Sequence, residues 1–226
     1  MLWMKAWLET RWRLLYALAI PGVVIAFRHL TSVQDAQRMM GAMAVLLMFG
    51  AVYTAGAGIR TQAAFSGTKN LHGSMYYTLS LPVSRLRLLA VRAGAGLVET
   101  AGVNLILISA LWLKFPLVRA GSTPVDLFEL VVAAIVCTAC VHFVSVLFAT
   151  VVDDAWQIWG SILVVGVAWW AVARLSLPPS VDIFRFMSDA SPLITHRLPW
   201  PAMAVSLIVS AMLFFTALKI VQIREY

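Results

Sequence analysis

The side chains able to do chemistry are few and lie in apolar surroundings. Cys137-x-x-Cys140-x-His142 has the residue types of a metal cluster. On a helix, however, the cysteines stand about 60° apart while His142 is turned roughly 140° from Cys137, so the three do not converge on one ion. No metal site is expected, and small-residue packing accounts better for the cysteines. His142 and Ser145, three residues apart, resemble a base and a nucleophile, but no positioned acid or elbow-type glycine motif accompanies them, and no catalytic residue is assigned.

Arg85, Arg92 and Glu99 recur every seven residues and share one helical face. A carboxylate in hydrocarbon costs about 2.5–3.5 kcal/mol on insertion scales, so Glu99 should face protein or a wet groove. There it either tethers a basic side chain or meets a transported substrate. Asn104, one turn on, is read first as interhelical hydrogen-bonding glue and second as part of such a path. Asp153-Asp154 sits where two carboxylates favour the macrodipole of a helix starting there.

The elements that position these residues follow from composition. Of 226 residues, 62% are apolar and 12% charged, with no room for a second globular domain. The mean hydropathy is +0.88. Soluble domains carry roughly a quarter charged residues. The apolar residues fall in blocks of about twenty, the length with which a helix crosses roughly 30 Å of hydrocarbon, and none alternates as a barrel strand would. The expected fold is an all-α integral membrane domain over residues 1–226 with six spans: about Leu14–Phe27, Met39–Ile59, Leu88–Leu113, Leu127–Val152, Trp156–Ala173 and Ala202–Val221. Pro21-Gly22 interrupts the first, and Gly50, Thr54 and Gly58 give the second a small-residue stripe for close approach.

Residues 1–13 read as an interfacial helix, Trp3, Trp7 and Leu14 on one face and Lys5, Glu9 and Arg13 on another, with Lys5 and Glu9 pairing at i,i+4. The alternative is a wet extension of the first span. No cleavable signal is evident. Residues 177–201, rich in proline, form an external hairpin whose apolar pieces Val181–Met187 and Leu193–Ile194 are too short to span and are expected to dip into the outer leaflet, with Trp200 anchoring the last span. The hairpin is either a lid over an exit path or a plain loop.

The net charge of +7 forms no aromatic-interleaved soluble patch, so no nucleic-acid partner is expected. With the N-terminus cytoplasmic, the inside receives Lys5, Arg11, Arg13, Arg60, Lys69, Arg85, Arg87, Arg92, Lys219 and Arg224, against seven basic residues outside. Five of those ten flank the connector 60–87, which places it and both termini in the cytoplasm. Within it, Leu71–Leu79 reads as an amphipathic helix with Tyr76, Tyr77 and Leu81 free for a partner; Pro82 breaks the run and Ser84 can cap the next helix. Such a helix either transmits a push from a soluble partner or lies idle on the membrane.

Gly67-Thr68, then Leu79-Ser80-Leu81-Pro82-Val83-Ser84-Arg85, a basic helix start and an acidic residue in the third span, resembles the ABC-2-type exporter permease family. The likeness covers the whole chain in architecture and about twenty residues in motif. Family members often carry Glu before the Gly-Thr, where this chain has Phe65-Ser66. The resemblance implies an inner-membrane permease subunit of an ATP-driven exporter, two permease chains forming the path and separate ATP-binding subunits holding ATP and Mg. It assigns the coupling surface to Gly67, Thr68, Leu71, Tyr76, Tyr77, Leu79, Ser80, Leu81 and Pro82, with Asp153 and Asp154 as a second, smaller contact. The chain lacks a G-x-x-x-x-G-K-[ST] phosphate loop and is expected to bind no cofactor itself. The sparse polar inventory of the spans favours an amphipathic or hydrophobic cargo. Rival classes are a non-transporting sensor subunit of such a complex and a membrane-embedded enzyme acting on lipids.

Overall fold

The computed structural model describes residues 2–55, 84–152, 154–175, 178 and 180–223, and among these the regular structure is entirely helical. In chain order the helices are α1 (Leu2–Phe27), α2 (Val33–Thr54), α3 (Arg85–Lys114), α4 (Pro116–Arg119), α5 (Pro124–Val151), α6 (Asp154–Arg174), α7 (Pro192–Thr195) and α8 (Trp200–Ile223). Five of them, α2, α3, α5, α6 and α8, are long and apolar enough to cross a membrane.

The first segment differs in form from the expectation. Residues 1–13 and the first span are not separated: α1 is one helix of 26 residues with Pro21 inside it. Its N-terminal half carries Lys5, Glu9, Arg11 and Arg13, which leaves only the stretch from Leu14 onward continuously apolar. The expected Lys5–Glu9 pair lies outside the described side chains.

Polar caps set the helix starts. Ser32 Oγ accepts from Asp35 N at 3.1 Å, opening α2, and Ser84 Oγ accepts from Arg87 N at 3.3 Å, opening α3. Thr123 and Asp126 form a reciprocal capping box at the head of α5, with Pro124 at the first helical position. At the other end of α1, the Lys114 ammonium donates to Ile25 O and Ala26 O, each at 2.5 Å. Helix α1 has no basic residue in its own last turn, so α3 supplies the cation that its carbonyl end favours.

Helix α5 is apolar all round and occupies the centre, packed against α2, α3, α6, α7 and α8, while α1 lies on α2 and α3. The main core gathers Met43, Leu47, Ile108, Leu111 and Leu130, and a smaller cluster joins Leu88, Leu89, Val146, Ala217 and Val221. In α6 the position is reversed: Trp156, Trp159, Leu163, Val167, Trp169 and Trp170 all point outward. Apolar patches of this extent belong against lipid, and tryptophans at both ends of a span mark its two interfaces.

The hairpin before α8 holds one four-residue helix, α7, among successive turns. Of its apolar residues Phe186, Met187 and Leu193 are buried, whereas Ile194 is exposed. Phe186 and Met187 are fully buried in the main core, and Arg185, between them and the start of the turns, pairs with buried Asp182 at 3.3 Å and exposed Asp189 at 3.1 Å.

Candidate functional site

The polar side chains of the spans converge on one buried joint at Gly96. A Cβ added there would lie 2.3 Å from Thr54 O and 2.7 Å from His142 Cε1, so only glycine lets α2, α3 and α5 approach this closely. Thr54 and Thr100 meet Oγ1 to Oγ1 at 2.6 Å across α2 and α3. Thr100 Oγ1 also reaches Gly96 O at 2.8 Å and His142 Nδ1 at 3.4 Å. The other ring nitrogen, Nε2, is 3.1 Å from Ala93 O. A carbonyl only accepts, so Ala93 O assigns the proton of a neutral ring to Nε2; the single Thr100 proton goes to Gly96 O, and Nδ1 keeps a long contact with that hydroxyl.

One turn along, Ser145 Oγ donates to Val52 O at 3.3 Å and accepts from Gln157 Nε2 at 3.1 Å, which brings α6 into the joint. Ser161 Oγ donates to Gln157 O at 2.6 Å. Four helices are thus cross-linked at the end of the bundle from which the α2–α3 connector departs.

Chemically, these groups hold one another. The ring nitrogens of His142 go to Ala93 and Thr100, and Ser145 turns to Val52 and Gln157, so the base and the nucleophile that the sequence sets three residues apart engage different neighbours. Cys137 and Cys140 are buried free thiols. No group of three metal-ligating side chains occurs among the described residues.

Asn104, fully buried on α3, donates through Nδ2 to Thr138 Oγ1 on α5 at 2.7 Å, and Thr138 passes its own proton to Ala134 O at 2.7 Å. Glu99 is buried on α3 one residue before Thr100, close to the joint. Asp154 begins α6. The remaining coupling residues inferred from the sequence, Gly67, Thr68, Leu71, Tyr76, Tyr77, Leu79, Ser80, Leu81, Pro82 and Asp153, lie outside the described residues.

Beside the joint runs an apolar groove of about 200 Å³ between α2 and α6, lined by Val45, Met48, Phe49, Val52, Gly166 and Trp169 among others. At the opposite end of α5, Asp126 Oδ1 is 3.1 Å from His196 Nδ1 and ties the hairpin to the head of α5.

Residue type alone does not mark Thr54, Thr100, Gln157 and Ser161 as a group. The signal in the sequence is weak: hydroxyls and amides in otherwise apolar blocks, of which only the Gly50–Thr54 stripe shows a spacing. No family model, curated protein or solved structure matches the chain.

Proposed function

We propose that the chain is the membrane-spanning permease subunit of an ATP-driven exporter, working as a pair of permease chains with ATP and Mg held by separate ATP-binding subunits. In this reading it sits in a bacterial inner membrane with both termini cytoplasmic. The resemblance of residues 67–85 to ABC-2-type permeases gives the class, and the joint at Gly96 is the observation that carries the mechanism. Interhelical hydrogen bonds in membranes average roughly 0.6 kcal/mol each, so close packing rather than any one bond must make the joint stiff. The two helices that flank the connector are gripped there by α5 and α6. A push delivered to the connector by a soluble motor therefore moves a block of helices instead of bending one.

The cargo class follows from the α2–α6 groove, whose wall is almost wholly apolar. It suits an amphipathic or hydrophobic molecule entering sideways from the bilayer. Of the two polar path candidates, Asn104 commits one amide proton to Thr138, and Glu99 adjoins the joint; both then steady the moving block, and the groove carries the cargo.

Inverted vesicles containing the chain and its ATP-binding subunit provide the test. ATP-dependent uptake of a fluorescent amphiphile is expected, and Pro82→Ala or Tyr77→Ala should abolish uptake while the complex still copurifies. Uptake that survives both substitutions, or a complex that hydrolyses ATP with no flux, would refute the proposal.

A further inference from the structure

A second groove lies on the far side of α3, and it has a head as well as a trough. On α3, Val98, Gly102, Leu105, Ser109 and Trp112 fall four, three, four and three residues apart, one continuous face. The first four line a cleft of about 570 Å³ whose other wall is α5 from Pro124 to Ile135, with Phe128 projecting. That volume is in the roughly 300–1,000 Å³ range of small-ligand clefts. Nothing lies within 4 Å of a Cβ added to Gly102, so the trough is open there.

At its upper end the stripe reaches Trp112, and there the connector folds back. Trp112 Nε1 donates to Ser122 Oγ at 2.9 Å, Ser122 Oγ donates to Arg119 O at 2.9 Å, and the Arg119 guanidinium stands 5.6 Å over the Trp112 ring. Arg119 is exposed, and no carboxylate among the described residues pairs with it. A cation is thus held over the aromatic that comes next after Ser109, the last α3 residue lining the trough, on the same face of the helix. From Trp112 down to Gly102 is about 15 Å of helix, half of the roughly 30 Å hydrocarbon core. An acyl chain whose head group sits at Arg119 would end beside Gly102.

We infer that the α3–α5 groove is a binding site for one membrane phospholipid with an anionic head group, its phosphate at Arg119 and one acyl chain in the trough. The inference rests on the membrane-spanning character of the chain and not on any transport activity.

Native mass spectrometry of the intact protein in mild detergent, with equimolar phosphatidylglycerol and phosphatidylcholine of matched chains, tests it. One phosphatidylglycerol per chain should be retained over phosphatidylcholine by roughly fivefold, the value of one basic side chain at an anionic surface. Arg119→Gln should bring the ratio close to one. Gly102→Leu, whose Cβ enters open space, should fill the trough and remove the adduct, and Ser109→Phe should do the same independently if Gly102→Leu does not fold. Equal retention of the two lipids by the unaltered protein, an unchanged ratio in Arg119→Gln, or adducts surviving both filled variants would overturn the inference. So would a loss of dimer mass in the filled variants with the lipid adduct kept, which would assign the groove to a second copy of the chain.

Discussion

Replacing Gly96 with alanine puts the joint to its hardest test. The new methyl would stand 2.3 Å from Thr54 O, more than 1 Å short of ordinary van der Waals contact, and the obstructing atom is backbone that cannot swing aside. Helices α2 and α3 must part by about that amount. The Thr54–Thr100 contact of 2.6 Å would then lie beyond hydrogen-bonding reach. Overpacking costs about 1–3 kcal/mol, the lost interhelical bond adds roughly 0.6 kcal/mol, and alanine's helix propensity returns up to about 1 kcal/mol. Gly102→Ala, on the same helix with open space around its Cβ, feels only the last of these. The propensity gain is common to both, so the two variants should differ by about 1.6–3.6 kcal/mol in reversible unfolding in mixed micelles, monitored by tryptophan fluorescence. Thr100→Val should cost less on the Gly96→Ala background than in the unaltered chain, because its bond to Thr54 is already broken there and only its contacts with Gly96 O and His142 remain to be lost. Equal stability of Gly96→Ala and Gly102→Ala would refute the reasoning.

Single contacts give three further expected outcomes. Lys114→Met removes the cation from the carbonyl end of α1 and should cost about 0.3–2 kcal/mol, with faster amide exchange in the last turn of α1 and Lys114→Arg as the milder variant. Asn104→Leu should cost no more than about 1.7 kcal/mol in the same unfolding assay, since Thr138 keeps Ala134 O as its acceptor. His196→Ala should raise hydrogen exchange over residues 190–199 while leaving α5 protected. Asp126→Ala, which also destroys the capping box with Thr123, should loosen both and cost about 1 kcal/mol more.

Five of the expected spans, those in α2, α3, α5, α6 and α8, were legible because hydrocarbon forces one solution: a backbone that cannot meet water must close its hydrogen bonds within a helix. Their ends were less so. Ser84 was expected to cap the helix of the third span, and that helix does begin at Arg85; hydropathy placed the fourth span at Leu127–Val152, whereas its helix begins at Pro124. Capping by Ser84 and Thr123 extends them into stretches whose charged or polar side chains reach the interface. Residues 1–13 looked like a separate element because their charges contrast with the apolar run beginning at Leu14. Charge alone does not interrupt a helix, however, and no glycine or proline occurs between Leu2 and Ile20. In the hairpin, the apolar pieces matched either lipid or protein contact, and no local spacing marks that Phe186 and Met187 turn into the core while Ile194 stays exposed. The joint at Gly96 was the least accessible feature. Thr54, Thr100 and His142 are 46 and 42 residues apart in neighbouring links, and no local spacing encodes which faces of three separate helices will touch. Gly50 gave a partial signal, since it does lie against Ala17 of α1 and Val103 of α3.

Helix α6 touches protein along little of its length, and its tryptophan pairs at positions 156 and 159 and at 169 and 170 act as collars on a rod. The outermost collars, fourteen residues apart, are about 21 Å from each other. The height of this rod in the assembly is consequently dictated from outside, by wherever the two lipid surfaces come to rest. A thicker bilayer would pull on both collars at once, at a fraction of a kcal/mol per ångström, and Gln157 would carry that tension straight into Ser145.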